Sequence, residues 1–444
     1  MDKTFREWDP DQSVLFPPSV LDLVPEGHPA HFVREVVRGE LDLSAVYAVY
    51  DEVRGQPPYD PRMMVALLLY AYSRGVRSSR KIAQGCEERV DFMAVTGMQK
   101  PDHDTVNEFR RRHLAALQGL FPQVLYLCAK AGLVKLGHVA LDGTKIQANA
   151  SKHKAMSYGR MEETKRRLRA EVREWLEEAE ATDREEDEKY GKGKRGDEMP
   201  DWVKDKKLRA QKIAEAKKAL ESEAKERAEA ERKAQEPRGP TAPGRPPKEP
   251  DETPDPKAQR NFTDPESRIL KTKDGYIQGY NAQAAVDADS QVIVAQEVGT
   301  QSDVQRLMPM IDQVRENTGR LPDEVSADAG YCSEENLRAM RRRRLDAYIA
   351  TGRQRHGTRS ATANEGRRRG PWTSAMRTKL KRAGHRSRYR LRKQTVEPVF
   401  GQMKECRGFR RFLLRGLAKV RGEWSLACIA HNLLKLFKAS PATA

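Results

Sequence analysis

Cysteine is scarce and badly placed for a structural role. The chain has five in 444 residues, Cys86, Cys128, Cys332, Cys406 and Cys428, an odd number with no CxxC pair. That excludes a disulfide framework and a zinc ribbon and leaves buried free thiols. Long apolar runs are also missing: no stretch approaches the roughly 20 residues that cross a bilayer, and MDKTFREWDP has no signal-peptide apolar segment. A cytoplasmic protein is expected. Acidic residues are nearly absent from one segment, 338–423, which holds 27 basic and 5 acidic residues. Its excess of 22 positive charges exceeds the +17 of the whole chain, so the remainder carries −5. So concentrated a field attracts a phosphate backbone by counterion release, with sequence-independent affinity of roughly 10⁻⁴ to 10⁻⁶ M. An anionic membrane fits less well, because these cations are spread over irregular sequence and not along one amphipathic helix.

What is present reads as several domains. Residues 1–135 are helical: 61–75 has a wide apolar face entered through Asp60 as N-cap and Pro61 at the first position. The stretch 78–97 ends at a glycine, and 101–117 restarts with Asp104 as expected N-cap. Two short helices, a turn and a helix carrying Thr105, Asn107, Arg110, Arg111 and Arg112 resemble a helix-turn-helix reader, although a plain bundle with a basic rim explains the same residues. Residues 136–151 switch to a strand ending at Asp142. The segment 152–235 is rich in charge with a thin apolar stripe, which predicts two long helices in an antiparallel hairpin broken at 189–200. The stretch 236–261 is proline-dense and reads as a disordered linker. From 262 to 438 come two strands joined at 287–291, a helix with Asp303 near its cap, a strand ending at Asp328, a helix capped by Ser333, a strand at 345–350, a basic loop and a last helical stretch. The expectation is a multi-domain α/β protein with a mixed five-stranded sheet flanked by helices, an all-helical N-terminal domain and a helical-hairpin insertion between the first and second strands.

Three acids stand apart: Asp142 and Asp328 at strand ends, and Glu397 on a helix crowded with cations. If the first and fourth strands are neighbours, the two aspartates meet at one edge and a crossing helix can add Glu397. Such a set could hold two hard divalent cations and clamp the attacking and leaving oxygens of a phosphoryl transfer. Asp287, Asp289 and Asp303 fall in turns or caps, where acids are common for local backbone reasons.

LDGTKIQANAS, DAGY and the stretch Tyr389, Lys393, Glu397, Lys404 resemble the three motif blocks of insertion-sequence DDE transposases with an RNase H-like catalytic core, the Tyr-Arg-Glu-Lys signature group. FPPSVLDLVPEGHPAHFV, YDPRMMVALLLYAYSRGVRSSRKIA and PDHDTVNEFRRRH resemble that group's N-terminal helical domain. The resemblance implies Asp142, Asp328 and Glu397 as catalytic and metal-holding residues, with two Mg²⁺ or Mn²⁺ ions. It implies DNA contacts by Tyr389, Arg392, Lys393 and Lys404, and Lys404 lies two helical turns beyond Glu397 on one face. One residue too many separates Arg392 from Glu397, so either Arg392 serves or Lys393, four residues before Glu397, replaces it as a point charge without a bidentate grip. The implied activity is cleavage at element ends and strand transfer into target DNA. The partners would be terminal inverted repeats and target DNA, bound by a homodimer or higher oligomer in a bacterial, nucleoid-associated setting. A nuclease of that fold without strand transfer, or a non-catalytic DNA-binding derivative, is the alternative.

Overall fold

The computed structural model describes residues 19–50, 58–190, 201–234, 250–272, 275–352, 370–383 and 388–440. The glycine-rich break at 191–200, most of the proline-dense linker and Arg367, Arg368 and Arg369 lie outside them. The chain divides into two compact units, one of 1–144, 282–413 and 418–444, the other of 145–281 and 414–417. The boundaries fall inside two strands, β1 (His138–Gln147) and β5 (Gly275–Asp287). The helical segment up to 135 therefore belongs to the same unit as the later sheet. No helix of the described residues is long and apolar enough to cross a membrane.

In the first unit, helix Pro61–Ser73 starts as its sequence predicts: the Asp60 carboxylate accepts from the Arg62 amide at 2.7 Å and Pro61 needs no partner. Helix His103–Arg112 starts one cap earlier than expected, because Asp102 and not Asp104 accepts from the Thr105 amide, at 2.6 Å. The 78–97 stretch breaks at Arg89 into helices Ser79–Glu88 and Val90–Thr96, and the second ends at Gly97, left-handed at φ 59°. Where helix Pro61–Ser73 runs out, Gly75 (φ +74°) lies so close to the Arg407 backbone that a Cβ there would sit 2.9 Å from its carbonyl oxygen.

The sheet of this unit adds β6 (Ile293–Gly299), β7 (Glu324–Ala327) and β8 (Asp346–Ile349), in the spatial order β6, β5, β1, β7, β8. β1 and β5 are antiparallel, with the Ala288 amide donating to the His138 carbonyl at 2.9 Å, whereas β1, β7 and β8 run parallel. The two crossovers are helices Asp303–Thr318 and Glu334–Arg342. Short apolar runs, Val139 to Leu141 and Ala284 to Val286, are wholly buried on these strands. The last helix, Leu417–Ala439, packs Trp424, Leu426 and Ile429 into the core without exposure. Its Asn432 amide exchanges two hydrogen bonds with the Ile293 backbone (2.9 and 2.8 Å), so a side chain completes the ladder at β6.

The second unit contains the hairpin helices Tyr158–Tyr190 and Asp201–Ala234. Their thin stripe closes on Met161, Leu168, Ile213, Ala216 and Leu220, with Met156, Tyr158 and Phe262 packed against it. β2 (Ala155–Ser157) pairs antiparallel with β3 (Gln259–Asn261) at the base of the hairpin. β4 (Arg268–Thr272) pairs antiparallel with the start of β5, from Arg268↔Gly279 to Thr272↔Gly275. These strands correct the expected architecture. The main sheet has six strands, not five, because Ser267 to Thr272 is short and amphipathic and its pairing partner makes the strand. The region 250–261, read as part of a linker, carries β3. Among the cysteines, Cys86, Cys128 and Cys428 are buried thiols but Cys332 is half-buried and Cys406 exposed, because its turn lies on the surface.

Candidate functional site

The carboxylates meet because of strand register. β1 pairs with β7 as His138↔Glu324, Val139↔Val325 and Ala140↔Ser326. Asp142 and Asp328 each lie two residues beyond the last of these pairs, and the Asp328 charge bears on the Asp142 carboxyl. Asp328 ends its strand by capping a short 3₁₀ turn, accepting from the Gly330 amide at 2.8 Å. Gly330 is required there: a Cβ would stand 2.8 Å from Asp303 Oδ2 and 3.0 Å from Asp328 Oδ1. The register itself is held by His138, whose ring bonds Glu324 at 3.0 Å and Ser326 at 2.9 Å on the neighbouring strand.

Glu397 comes from helix Leu391–Gly401, whose buried side is Arg392, Thr395, Val396, Val399 and Phe400. That phase sets apart by burial the two cations that the spacing left open. Arg392 faces inward and Lys393 is exposed. The Arg392 guanidinium donates to Asp142 Oδ2 and stands 3.8 Å from Glu397 Oε1, with the Tyr389 ring 5.9 Å away. Pro398 removes the amide that would have bonded the Gln394 carbonyl, and Gln291 Nε2 donates there instead at 3.2 Å.

Electrostatics bind the group together. Burial pushes the Asp142 carboxyl up to about 6, opposed by Arg392 and assisted by Asp328 and Glu397. Asp328 is also raised, first by burial, with Arg392 opposing and Asp303 assisting. Burial works against the Arg392 charge, but Asp142, Tyr389 and Asp328 hold its pKa above the usual value. Glu397, with 54% of its side chain exposed, is the wet end of the cluster. Among the described residues no three His, Cys, Asp or Glu side chains stand close enough to cage a metal. The cation lying between Asp142 and Glu397 is Arg392. The donor set is nonetheless the kind a hard divalent ion takes, carboxylate oxygens around a site that one guanidinium only partly neutralises.

Lys404 does not lie two α-turns beyond Glu397. The helix widens after Gly401 into a π turn, Gln402–Cys406, and Lys404 sits half-buried on it. Its pKa is lowered, mainly by burial and then by Arg410. The basic triplet near the N-terminus divides. Arg110 is 3% exposed and donates to the Tyr72 hydroxyl, the Arg77 carbonyl and Asn107, so it is an internal strut and is withdrawn as a surface contact. It follows Val106 and Phe109 on the buried face. Asn107 and Arg111 are exposed, Arg111 pairing with Glu108 at 2.7 Å, and Arg112 reaches the Val49 carbonyl at 2.7 Å.

Sequence reasoning passed over a second layer. Gln283 Nε2 donates to Asp303 Oδ1 at 2.8 Å and its carbonyl accepts from the Tyr331 hydroxyl, so Asp303 is a fourth acid beside Asp328 and not merely a helix-start residue. Its signal was Gln283, an amide just before the apolar run Ala284 to Val286 and 1% exposed. Asp287, by contrast, serves the backbone, accepting from the amides of Lys135 and Leu136 at 3.0 and 2.7 Å.

A family model described as the transposase DDE domain matches residues 251–433, and one described as a transposase domain (DUF772) matches residues 18–112. The chain belongs to the DDE transposase family of insertion sequences. Searches of curated proteins and of solved structures returned no match. Asp328 and Glu397 fall inside the matched DDE segment, while Asp142 lies before it and comes to them through the β1–β7 pairing.

Proposed function

We propose that this transposase cuts DNA at the ends of its own element and joins the freed ends to target DNA, using Asp142, Asp328 and Glu397. Transposase function and DNA as partner follow from the family; the reaction and its residues are our reading. The observation that carries it is the convergence of Asp142, Asp328 and Glu397 on the Arg392 guanidinium. We read the strand order β6, β5, β1, β7, β8 as an RNase H-like core at 136–151 and 262–438, with 1–135 as a DNA-binding domain and 152–235 as an insertion.

Members of this family generally use divalent metal ions. Asp142, Asp328 and Glu397 would hold Mg²⁺ or Mn²⁺, two ions in this reading, which when bound supply charge stabilisation at the attacking and leaving oxygens. In cleavage a water oxygen bonds to phosphorus, the P–O3′ bond breaks, and the departing oxygen takes a proton to become a 3′ hydroxyl. In transfer that hydroxyl oxygen bonds to a target phosphorus and the target P–O3′ bond breaks. One phosphodiester replaces another, so no energy source is needed. Arg392, anchored beside the acids, presents a planar fork suited to the phosphodiester, and half-buried Lys404 adds a second charge. Tyr389 orients Arg392, and Asp303 with Gln283 and Tyr331 holds the Asp328 turn. Asn107, Arg111 and Arg112 face DNA from the helical domain, and a homodimer or higher oligomer works on paired ends.

The test uses duplex DNA carrying the element's terminal repeats with Mg²⁺. Asp142→Asn, Asp328→Asn and Glu397→Gln should each lower strand cleavage at least about 10³-fold and leave gel-shift affinity for the same duplex intact. Cleavage within tenfold of wild type in any of the three removes that residue from the site. Cleavage without joining of a pre-cut 3′ end would make the protein a nuclease.

A further inference from the structure

The second unit has a groove that the reaction does not use. It has a volume of about 490 Å³ and lies where three segments converge: the turn before β2, the start of the first hairpin helix and one face of the second. Its floor is the edge of the hairpin core, Met156, Ile213 and Phe262, and its rim carries Lys154, Arg160, Arg209 and Lys212 against a single carboxylate, Asp205. Leu208, 51% exposed, stands among them. Most of the lining precedes residue 251 and follows 112, outside both matched segments.

These four cations gather around one groove. Several other cations of the unit are neutralised by glutamates: Lys206 by Glu171 and Lys217 by Glu162, both at 2.7 Å, Arg260 by Glu223 at 2.6 Å and Arg232 by Glu252 at 2.8 Å. Lys154, Arg160, Arg209 and Lys212 have no ion pair among the described residues. All four are exposed. Asp205, Leu208, Arg209 and Lys212 follow one another at helical spacing, so one face of the second helix presents them together. Ordinary solvated helix faces mix both signs; this groove sets four cations against one carboxylate, Asp205. Unneutralised cations on flexible stems, spread over three segments and not converging on a point, suit a repeating anion more than a small one. The exposed leucine between them suits the apolar edge of a sugar.

We propose that this groove holds the phosphate backbone of DNA. The proposal rests on the transposase reading and adds a second, sequence-independent contact carried by the insertion. It makes the hairpin a DNA-holding arm whose cations contribute salt-sensitive affinity and no base selectivity.

The test is salt-dependent binding of the full chain to a random-sequence duplex. The quadruple variant Lys154→Glu, Arg160→Glu, Arg209→Glu, Lys212→Glu should bind at least about tenfold more weakly near 0.1 M salt. The slope of log K against log salt should fall by about 3 to 4, near 0.9 for each lost phosphate contact. A control with the same charge change at exposed Lys218, Lys225, Arg227 and Lys233 should lose much less, and a quadruple glutamine variant should repeat the loss in a milder form. Leu208→benzoylphenylalanine should form a photo-adduct with the duplex. Equal losses in the groove and control variants, an adduct with a second copy of the chain, or no DNA adduct would overturn the groove assignment. If the wild-type chain binds no DNA, the transposase reading falls with it; if wild type and groove variant bind alike, only the groove falls.

Discussion

In the unit that contains β7, cations are driven inward. Arg110, Arg306 and Arg392 are each at most 9% exposed, and each meets a fixed partner: Tyr72 and Asn107 for the first, Glu297 for the second, Asp142 for the third. In the unit of 145–281, no described lysine or arginine is buried, and the cations that are paired form surface bridges across the hairpin. Exposed bridges of that kind contribute about 0–1 kcal/mol each, whereas breaking a buried pair costs about 3–5 kcal/mol. A deep core can hold a guanidinium against carboxylates in one geometry, and a thin core cannot. Positioned chemistry therefore belongs to the first unit and diffuse attraction to the second.

Arg392 and Lys393 give the sharpest test. Arg392→Ala should lower cleavage by about 10² to 10³-fold, in the range of other lost charge-stabilising donors, while Lys393→Ala should stay within about threefold. Comparable losses, measured as single-turnover rates, would mean that the helix phase does not decide which cation acts.

Core depth should show next. Trp424→Ala removes a fully buried indole that donates to the Gln283 carbonyl at 3.2 Å, and should destabilise the first unit by about 3–5 kcal/mol. Ile213→Ala, in the five-residue hairpin core, should cost about 2–4 kcal/mol and act on a separate transition. Calorimetry in which either variant moves one shared transition would contradict the division into two units.

Excision should be milder still. Ser157 is paired with Gln259 at the end of the β2–β3 ladder, so replacing 158–258 with an Asn-Gly turn closes a two-residue hairpin. The first unit should keep a cooperative melt within about 2 °C of wild type, roughly 1 kcal/mol for a domain of this size, with helical circular dichroism reduced. A molten product would show that the hairpin stabilises more than itself.

The smallest expected effect is acid lability. His431, buried between the Arg407 guanidinium and the Gln291 carbonyl, has its pKa lowered to about 3 by burial first and Arg407 second. The native state keeps the ring neutral while the unfolded chain takes a proton below about 6.5. This contribution is therefore complete above pH 6.5 and is lost progressively as pH falls toward 3. In His431→Gln, the decline of melting temperature between pH 6.5 and 4 should flatten; an unchanged slope would assign acid sensitivity elsewhere.

Legibility in the sequence followed periodicity. Asp142 and Asp328 could be picked out because each ends a short apolar run, and Asp60 and Ser333 because their caps are local. Arg392 was also within reach: Val396, Val399 and Phe400 set a stripe that includes 392 and leaves 393 out. The same phase, read from Val106 and Phe109, would have placed Arg110 inside. In both cases a run of basic residues drew attention to charge and away from helical position. Asp303 was harder, since an acid at a helix start has a sufficient local reason to be there.

By itself the sequence determined the helical N-terminal segment, the charged hairpin, the concentration of positive charge in 338–423 and the short apolar runs before Asp142 and Asp328, although the strand expected to end at Asp142 runs on to Gln147. These are properties of composition and of periods two and 3.6, which a segment carries without its neighbours. Tertiary structure decided that His138 lies opposite Glu324, which brings Asp142 and Asp328 to the same end of the β1–β7 ladder. It also decided that Arg392 stands between Asp142 and Glu397, that the helix opens into a π turn before Lys404, and that β4 joins the sheet. The physical reason is that a buried charge takes its position from the partner that compensates its desolvation, and for Arg392 that partner, Asp142, is 250 residues away in the chain.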